Sequence, residues 1–152
     1  MVPRIVVAVD GSTHAERALD IAISWARCSG AQLTLLSVVP FHAVPFGGPQ
    51  MTPPISDVEI EAHQKMLERL RDYAVKAGIT NTTTELRQGL VVDELLDYLV
   101  HDPPSLLVVG SRGLSTAKRI ILGSVSESLV HQAPCPVLVD RPHDPMRPRP
   151  PL

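Results

Sequence analysis

Residues 106–130 read Leu-Leu-Val-Val-Gly-Ser-Arg-Gly-Leu-Ser-Thr-Ala-Lys-Arg-Ile-Ile-Leu-Gly-Ser-Val-Ser-Glu-Ser-Leu-Val. The opening run, Leu106, Leu107, Val108 and Val109, is too short for a helix and rich in β-branched residues, so it predicts a strand buried on both faces. Gly110 ends it. Gly110 and Gly113 are expected to turn the backbone through positive φ and to let a ligand approach closely, as in glycine loops that cradle phosphate. A basic, hydroxyl-rich segment with Ser115, Thr116, Lys118 and Arg119 follows. Gly123 then precedes Ser124, and Ser124 with Glu127 three residues on predicts a capping box that opens a helix. That helix start is a second candidate anion site. The N–H groups of Ser124, Val125 and Ser126 lack helical partners, the macrodipole is positive there, and the Ser124 and Ser126 hydroxyls add donors.

The rest of the chain alternates strand and helix signals around this stretch. Near the N-terminus, Arg4-Ile-Val-Val-Ala-Val9 reads as an apolar strand, followed by a turn at Asp10-Gly11-Ser12 and a capping box from Thr13 to Glu16. The helix after it places Ala15, Leu19, Ala22, Ile23 and Ala26 on one apolar face and ends at Ser29-Gly30. A second strand is expected over 33–39, closed by Pro40. Residues 40–54 contain five prolines, Gly47-Gly48, Phe41 and Phe46. They read as a long connection, open between a ligand lid and a disordered insertion. Ser56 and Glu59 form a third capping box, opening a helix that buries Met66, Leu67, Leu70, Ala74 and Ala77 and stops at Gly78; His63 on it has no evident partner. A half-buried or edge strand over 82–87 ends at Gly89, and Val92, Leu95, Leu96 and Leu99 predict a helix stopped by Asp102-Pro103-Pro104. After the helix from Ser124, the prolines around Cys135 lead into Val137-Leu138-Val139, a short run suited to a sheet edge.

Five strands alternating with four helices predict an α/β domain over 1–140: a doubly wound, Rossmann-like and flavodoxin-like parallel sheet of order 3-2-1-4-5 with helices on both faces. Strands one and four then lie side by side with connections that diverge, and ligands bind at such a switch point. Asp10 is thereby expected beside Gly110 and Gly113. A carboxylate does not face phosphate directly, so Asp10 is expected to reach a ribose hydroxyl, a base, or a Mg²⁺ or Mn²⁺ held by phosphates, or else to cap the first helix in an Asx-turn. Arg112 is open between a charge for the ligand and a solvated loop side chain.

Bulk properties exclude other classes. At 152 residues with 44% apolar and only 3% aromatic content, the chain is long enough for one core built from Val, Leu, Ile and Ala. A net charge of −2 gives no long-range pull toward nucleic acid or an anionic membrane. No apolar run approaches the roughly 18 residues that suggest a membrane span, and the N-terminus leads straight into a strand, so a cytoplasmic protein is expected. Cys28 and Cys135 have no metal-ligand spacing and read as free thiols, with a redox pair as the alternative. The tail over 141–152 has five prolines in twelve residues. It is expected to be a disordered end, the other reading being a polyproline II ligand for a partner domain.

The glycine spacing, two residues between Gly110 and Gly113, nine more before Gly123, then Ser124, resembles the nucleotide-binding signature of the ATP-binding branch of the universal stress protein family. Val-Ala-Val-Asp10-Gly11-Ser12, an apolar strand ending Ser37-Val38-Val39, and Ala-Pro-Cys-Pro-Val-Leu-Val over 133–139 fit the same pattern, so the resemblance covers about residues 3–140. It implies that Asp10, Gly11 and Ser12 border an ATP site, that Val38 and Val39 offer backbone groups to an adenine edge, and that Gly110, Arg112, Gly113, Gly123, Ser124, Val125 and Ser126 surround the phosphates, with Mg²⁺ or Mn²⁺. It also implies a homodimer formed through the last strand, from Pro136 to Asp140.

The chain has no Gly-x-x-x-x-Gly-Lys-Ser/Thr loop, which excludes a P-loop NTPase, and no acidic set near the glycines to orient a nucleophile. An ATP-binding regulator or stress-response protein with little or no turnover is expected. Two alternatives stay open: an adenylyl-transfer enzyme of the same α/β group, whose Ser-Gly-Gly-x-Asp-Ser loop is replaced here by Asp-Gly-Ser-Thr-His, and a nucleotide-free interaction protein.

Overall fold

Uninterrupted apolar strands are stable only where both sheet faces are covered, and this chain covers them. The computed structural model describes residues 2–41, 55–112 and 122–141. In chain order the elements are β1 (Arg4–Ala8), α1 (Thr13–Ser29), β2 (Gln32–Pro40), α2 (Asp57–Lys76), β3 (Thr82–Gly89), α3 (Val91–His101), β4 (Leu106–Gly110), α4 (Ser124–Gln132) and β5 (Val137–Asp140). The strands form one sheet in the order β3-β2-β1-β4-β5, every neighbouring pair parallel, as the alternation predicted. Among the described residues no helix is long and apolar enough to cross a membrane. Gly113, the segment with Ser115, Thr116, Lys118 and Arg119, most of the 40–54 connection and nearly all of the tail lie outside the described residues.

Side-chain alternation along the strands builds two cores. Ile5, Val7, Leu33, Leu35 and Val108 point toward α1 and α2, where they meet Leu19, Ala22, Leu67 and Leu70. Their neighbours Val6, Leu36, Val38, Leu107 and Val109 point the other way, onto Leu95, Leu99 and Leu129 of α3 and α4. The period of two in the strands is thus matched by one apolar stripe on each helix. β3 and β5 form the edges, and both are less buried than the central strands.

The helix starts correct two of the three expected capping boxes. At α2 the box is present: Ser56 Oγ accepts from Glu59 N, and the Glu59 carboxylate accepts from Ser56 N. At α1 the cap is Ser12, whose Oγ accepts from Ala15 N at 3.2 Å, and Thr13 is already helical. At α4 the cap is Gly123, without a side-chain bond, so Ser124 is the first helical residue and makes no box with Glu127. In both corrected cases the reading was one residue too far along, because the preceding residue has the extended backbone that a cap requires.

Gly110 also differs from expectation. Positive φ occurs, among the described residues, at Gly11, Gly30, Gly78 and Gly89, and not at Gly110. Its missing side chain is required by packing: a Cβ there would stand 2.8 Å from the His14 carbonyl carbon and 2.9 Å from His14 Cβ. The first turn of α1 lies directly over the end of β4. Cys28 and Cys135 are both free thiols, and burial pushes the Cys135 thiol up, away from the reactive thiolate.

Forcing a methyl group into such a contact costs typically about 1–3 kcal/mol. Gly110→Ala is therefore expected to lower the thermal midpoint by roughly 2–12 °C, given about 2–4 °C per kcal/mol in a domain of this size. An unchanged midpoint by circular dichroism would show that α1 yields freely at this point.

Candidate functional site

The cleft forms where β1 and β4 end side by side and their connections part. After Ala8 the chain leaves the sheet through Val9 and Asp10, and Gly11 turns it at φ 82°. Ser12 N donates to Asp10 Oδ1 at 2.9 Å, the Asx-turn given as the alternative for this carboxylate, although the cap of α1 is Ser12. The turn uses one oxygen. The other has no protein partner among the described residues, and Asp10 lines the cleft.

On the opposite wall β4 stops at Gly110, and α4 returns to the same point. Gly123 N donates to Ser111 O at 2.7 Å, and the buried Ser126 Oγ donates to Gly110 O at 2.6 Å. These two bonds fix the start of α4 against the end of β4. The first intrahelical bond is Glu127 N to Gly123 O at 2.9 Å, so the N–H groups of Ser124, Val125 and Ser126 remain without helical acceptors. The Ser126 hydroxyl differs from its expected role as a ligand donor, since its single proton is committed to Gly110 O. Diverting it would leave a buried carbonyl unpaired at a cost of about 1–3 kcal/mol.

β2 supplies the third side. It runs on to Pro40, whereas β1 ends at Ala8, paired with Leu36. Val9 N still donates to Leu36 O at 2.9 Å, while Phe41 N donates to Gly89 O on the β3 side. Peptide groups of alternate residues point to opposite edges of a strand, so Val38 turns its N–H and C=O toward the space that β1 has left. Val39 turns its own toward β3, and its side chain is fully buried. The two neighbours offered together as an adenine-binding edge are thus separated, with Val38 facing the cleft.

The resulting cavity is about 240 Å³ and mostly apolar. Of the residues expected at the site, Asp10, Val38, Gly110, Arg112, Val125 and Ser126 line it. Gly11 and Ser12 form the turn beneath Asp10, while Gly123 and the exposed Ser124 stand at the start of α4. Gly113 lies outside the described residues. The sequence reading missed Val91 and Leu95 of α3, Pro40 at the end of β2, and His63 of α2. For α3 nothing local marks those side chains, because only the tertiary placement of the helix brings them to the cleft. His63 had a signal: it stands four and seven residues before Leu67 and Leu70, on the buried face of α2, and Ser37 is a polar interruption in the apolar strand opposite. Their side chains meet, with Ser37 Oγ 3.0 Å from His63 Nδ1, so the expectation that His63 lacks a partner is corrected.

Among the described residues no group of three or more His, Cys, Asp or Glu side chains is placed to hold a metal ion. Asp10 is the carboxylate the cleft offers. A divalent cation there would need its remaining ligands from phosphates and water, which suits a metal that arrives with a nucleotide.

The family model described as the universal stress protein family matches residues 1–141. A universal stress protein of Thermus aquaticus is 32% identical over 142 residues, which cover 93% of this chain and 100% of the relative. Among solved structures, the universal stress protein UspA from Lactobacillus plantarum superposes with a TM-score of 0.82 at 29% identity, covering 91% of this chain and 97% of its own. A universal stress protein solved in complex with cAMP matches with a TM-score of 0.70 at 28% identity, over 91% of this chain and 97% of that one.

The caps separate two serines that look alike in sequence. Ser12→Ala is expected to destabilise the ligand-free protein by about 1 kcal/mol, whereas Ser124→Ala changes it by no more than a few tenths. Equal losses in thermal unfolding would restore Ser124 as a cap.

Proposed function

We propose, starting from the fact that the chain belongs to the universal stress protein family, that it binds ATP in this cleft as a regulatory or stress-response protein with little or no turnover. The observation that carries the reading is the clasp between Gly110–Ser111 and the start of α4, which leaves the N–H groups of Ser124, Val125 and Ser126 without helical acceptors where Val125 and Ser126 line one end of an apolar cavity. Helix starts of this kind attract phosphate. The apolar walls suit a flat base, the Val38 N–H and C=O offer it a donor and an acceptor, and the free oxygen of Asp10 suits a ribose hydroxyl or a Mg²⁺ or Mn²⁺ on the phosphates. Arg112 lines the same cavity and adds positive charge. The cAMP complex of a relative supports an adenine nucleotide as the ligand class. The cytoplasm is where such a protein would meet ATP.

Calorimetry with ATP and Mg²⁺ is expected to give a dissociation constant in the micromolar range, about −8 kcal/mol. No heat, together with no co-purified nucleotide by mass spectrometry, would overturn the reading. Ser124→Ala removes a hydroxyl beside the phosphates and is expected to weaken ATP about ten- to a hundredfold while leaving the fold intact. Wild-type hydrolysis faster than about 1 s⁻¹, in the range of working enzymes, would favour the adenylyl-transfer alternative.

The proposal includes a homodimer through β5. β5 (Val137–Asp140) is a sheet edge, and Val137, Leu138 and Val139 are only partly buried. Paired with a second copy, the open ladder groups would be satisfied. Sedimentation at tens of micromolar protein is expected to show a dimer that Val137→Lys with Val139→Lys converts to monomer. A wild-type monomer, or a dimer that survives both charges, would refute it.

A further inference from the structure

His63 is the polar side chain among the lining residues that the nucleotide-site pattern does not contain, and its surroundings define its chemistry. It sits on α2, one turn before Met66, and Met66 Sδ lies 3.2 Å from where a Gly11 side chain would begin. His63 therefore lines the cavity with Val38 of β2 and Asp10, at the end the proposed function gives to base and sugar, on a helix that packs on the sheet face opposite α4. Ser37 is 1% exposed, and His63 Nδ1 is its hydroxyl's hydrogen-bond partner among the described residues. A buried hydroxyl proton without an acceptor is costly, so Ser37 donates and Nδ1 accepts. In a neutral imidazole the proton must then be on Nε2, which has no protein partner among the described residues.

We propose that Ser37 holds His63 in the Nε2–H tautomer, and that this N–H donates to an acceptor on the nucleoside part of the ligand, a ring nitrogen or a ribose oxygen. This rests on the nucleotide-binding reading and adds to it a donor contributed by α2. Ser37 is a positioning residue, and His63 is a ligand contact.

Calorimetry with ATP and an NMR titration with adenosine, on the full chain, test it. His63→Phe keeps a ring and removes the donor, and is expected to weaken ATP about two- to tenfold, the range for a neutral hydrogen bond. Adenosine, which has no phosphates, should lose the same factor. His63→Gln, which returns an N–H near the Nε2 position, should recover most of the affinity. Nitrogen NMR of the His63 ring in the free protein should show Nε2 protonated and Nδ1 not, and Ser37→Ala should give a mixture of tautomers together with a smaller loss of affinity. Those last two measurements carry the test if His63→Phe does not fold. Wild-type binding with unchanged affinity in His63→Phe overturns this proposal and leaves the nucleotide site standing. A loss seen with ATP but not adenosine, or a ring protonated on Nδ1, also overturns it. Absence of ATP binding by the wild type overturns the nucleotide reading, and this proposal with it.

Discussion

The constraint on which the cleft depends is the backbone contact between the first turn of α1 and the end of β4. Gly110 has room for a hydrogen and nothing more, because His14 backbone atoms would lie 2.8–2.9 Å from any Cβ. That approach places the Asp10–Ser12 turn beside the β4 exit, and the exit in turn anchors α4 through Ser111 O and Gly110 O. Each step depends on the one before it. A side chain at Gly110 would lift α1 from β4 and separate the two walls of the cleft.

The polar groups near the cleft divide between holding the fold and facing outward. Asp10 spends one oxygen on its own turn, Ser12 caps α1, and Ser126 pairs Gly110 O. Among the described residues, the other Asp10 oxygen, the N–H groups at the start of α4 and the backbone groups of Val38 have no protein partner. A buried polar group left without a partner costs about 1–3 kcal/mol, so such groups persist where water or a ligand completes them. Their arrangement around one apolar cavity gives the site a donor-rich end at α4 and an end at β2 that presents both a donor and an acceptor.

Much of this was legible in the sequence, for reasons that particular residues show. The strand order followed from the alternation of apolar runs and amphipathic helices, since parallel neighbours need right-handed crossovers and few topologies satisfy them. Asp10, Gly110 and Val125 were placed because motif positions lie at strand and helix ends, where a linear pattern maps directly onto space. Caps were misjudged by one residue at Ser12 and Gly123, because backbone conformation decides a cap: at α1 hydroxyls stand at both Ser12 and Thr13, and at α4 the hydroxyl of Ser124 drew the reading past a glycine cap. Gly110 was read as a turn or ligand glycine, and the helix that excludes its side chain comes from almost a hundred residues away in the sequence. Val91 and Leu95 were missed because their position in the cleft depends on how α3 packs.

β1 is the central strand, and it joins the two halves of the chain. On one side it pairs with β2 after a single crossover, and on the other with β4, where Arg4 N reaches Ser105 Oγ across 101 residues. Closing that pair is entropically the most demanding step of assembly, and contacts of long sequence separation slow folding. The cavity has one wall from each half, so neither half holds it alone. A ligand bound there recognises only the finished sheet, and occupancy fastens the early and late parts of the chain together, which slows the reopening of the seam between β1 and β4 more than the fraying of either edge.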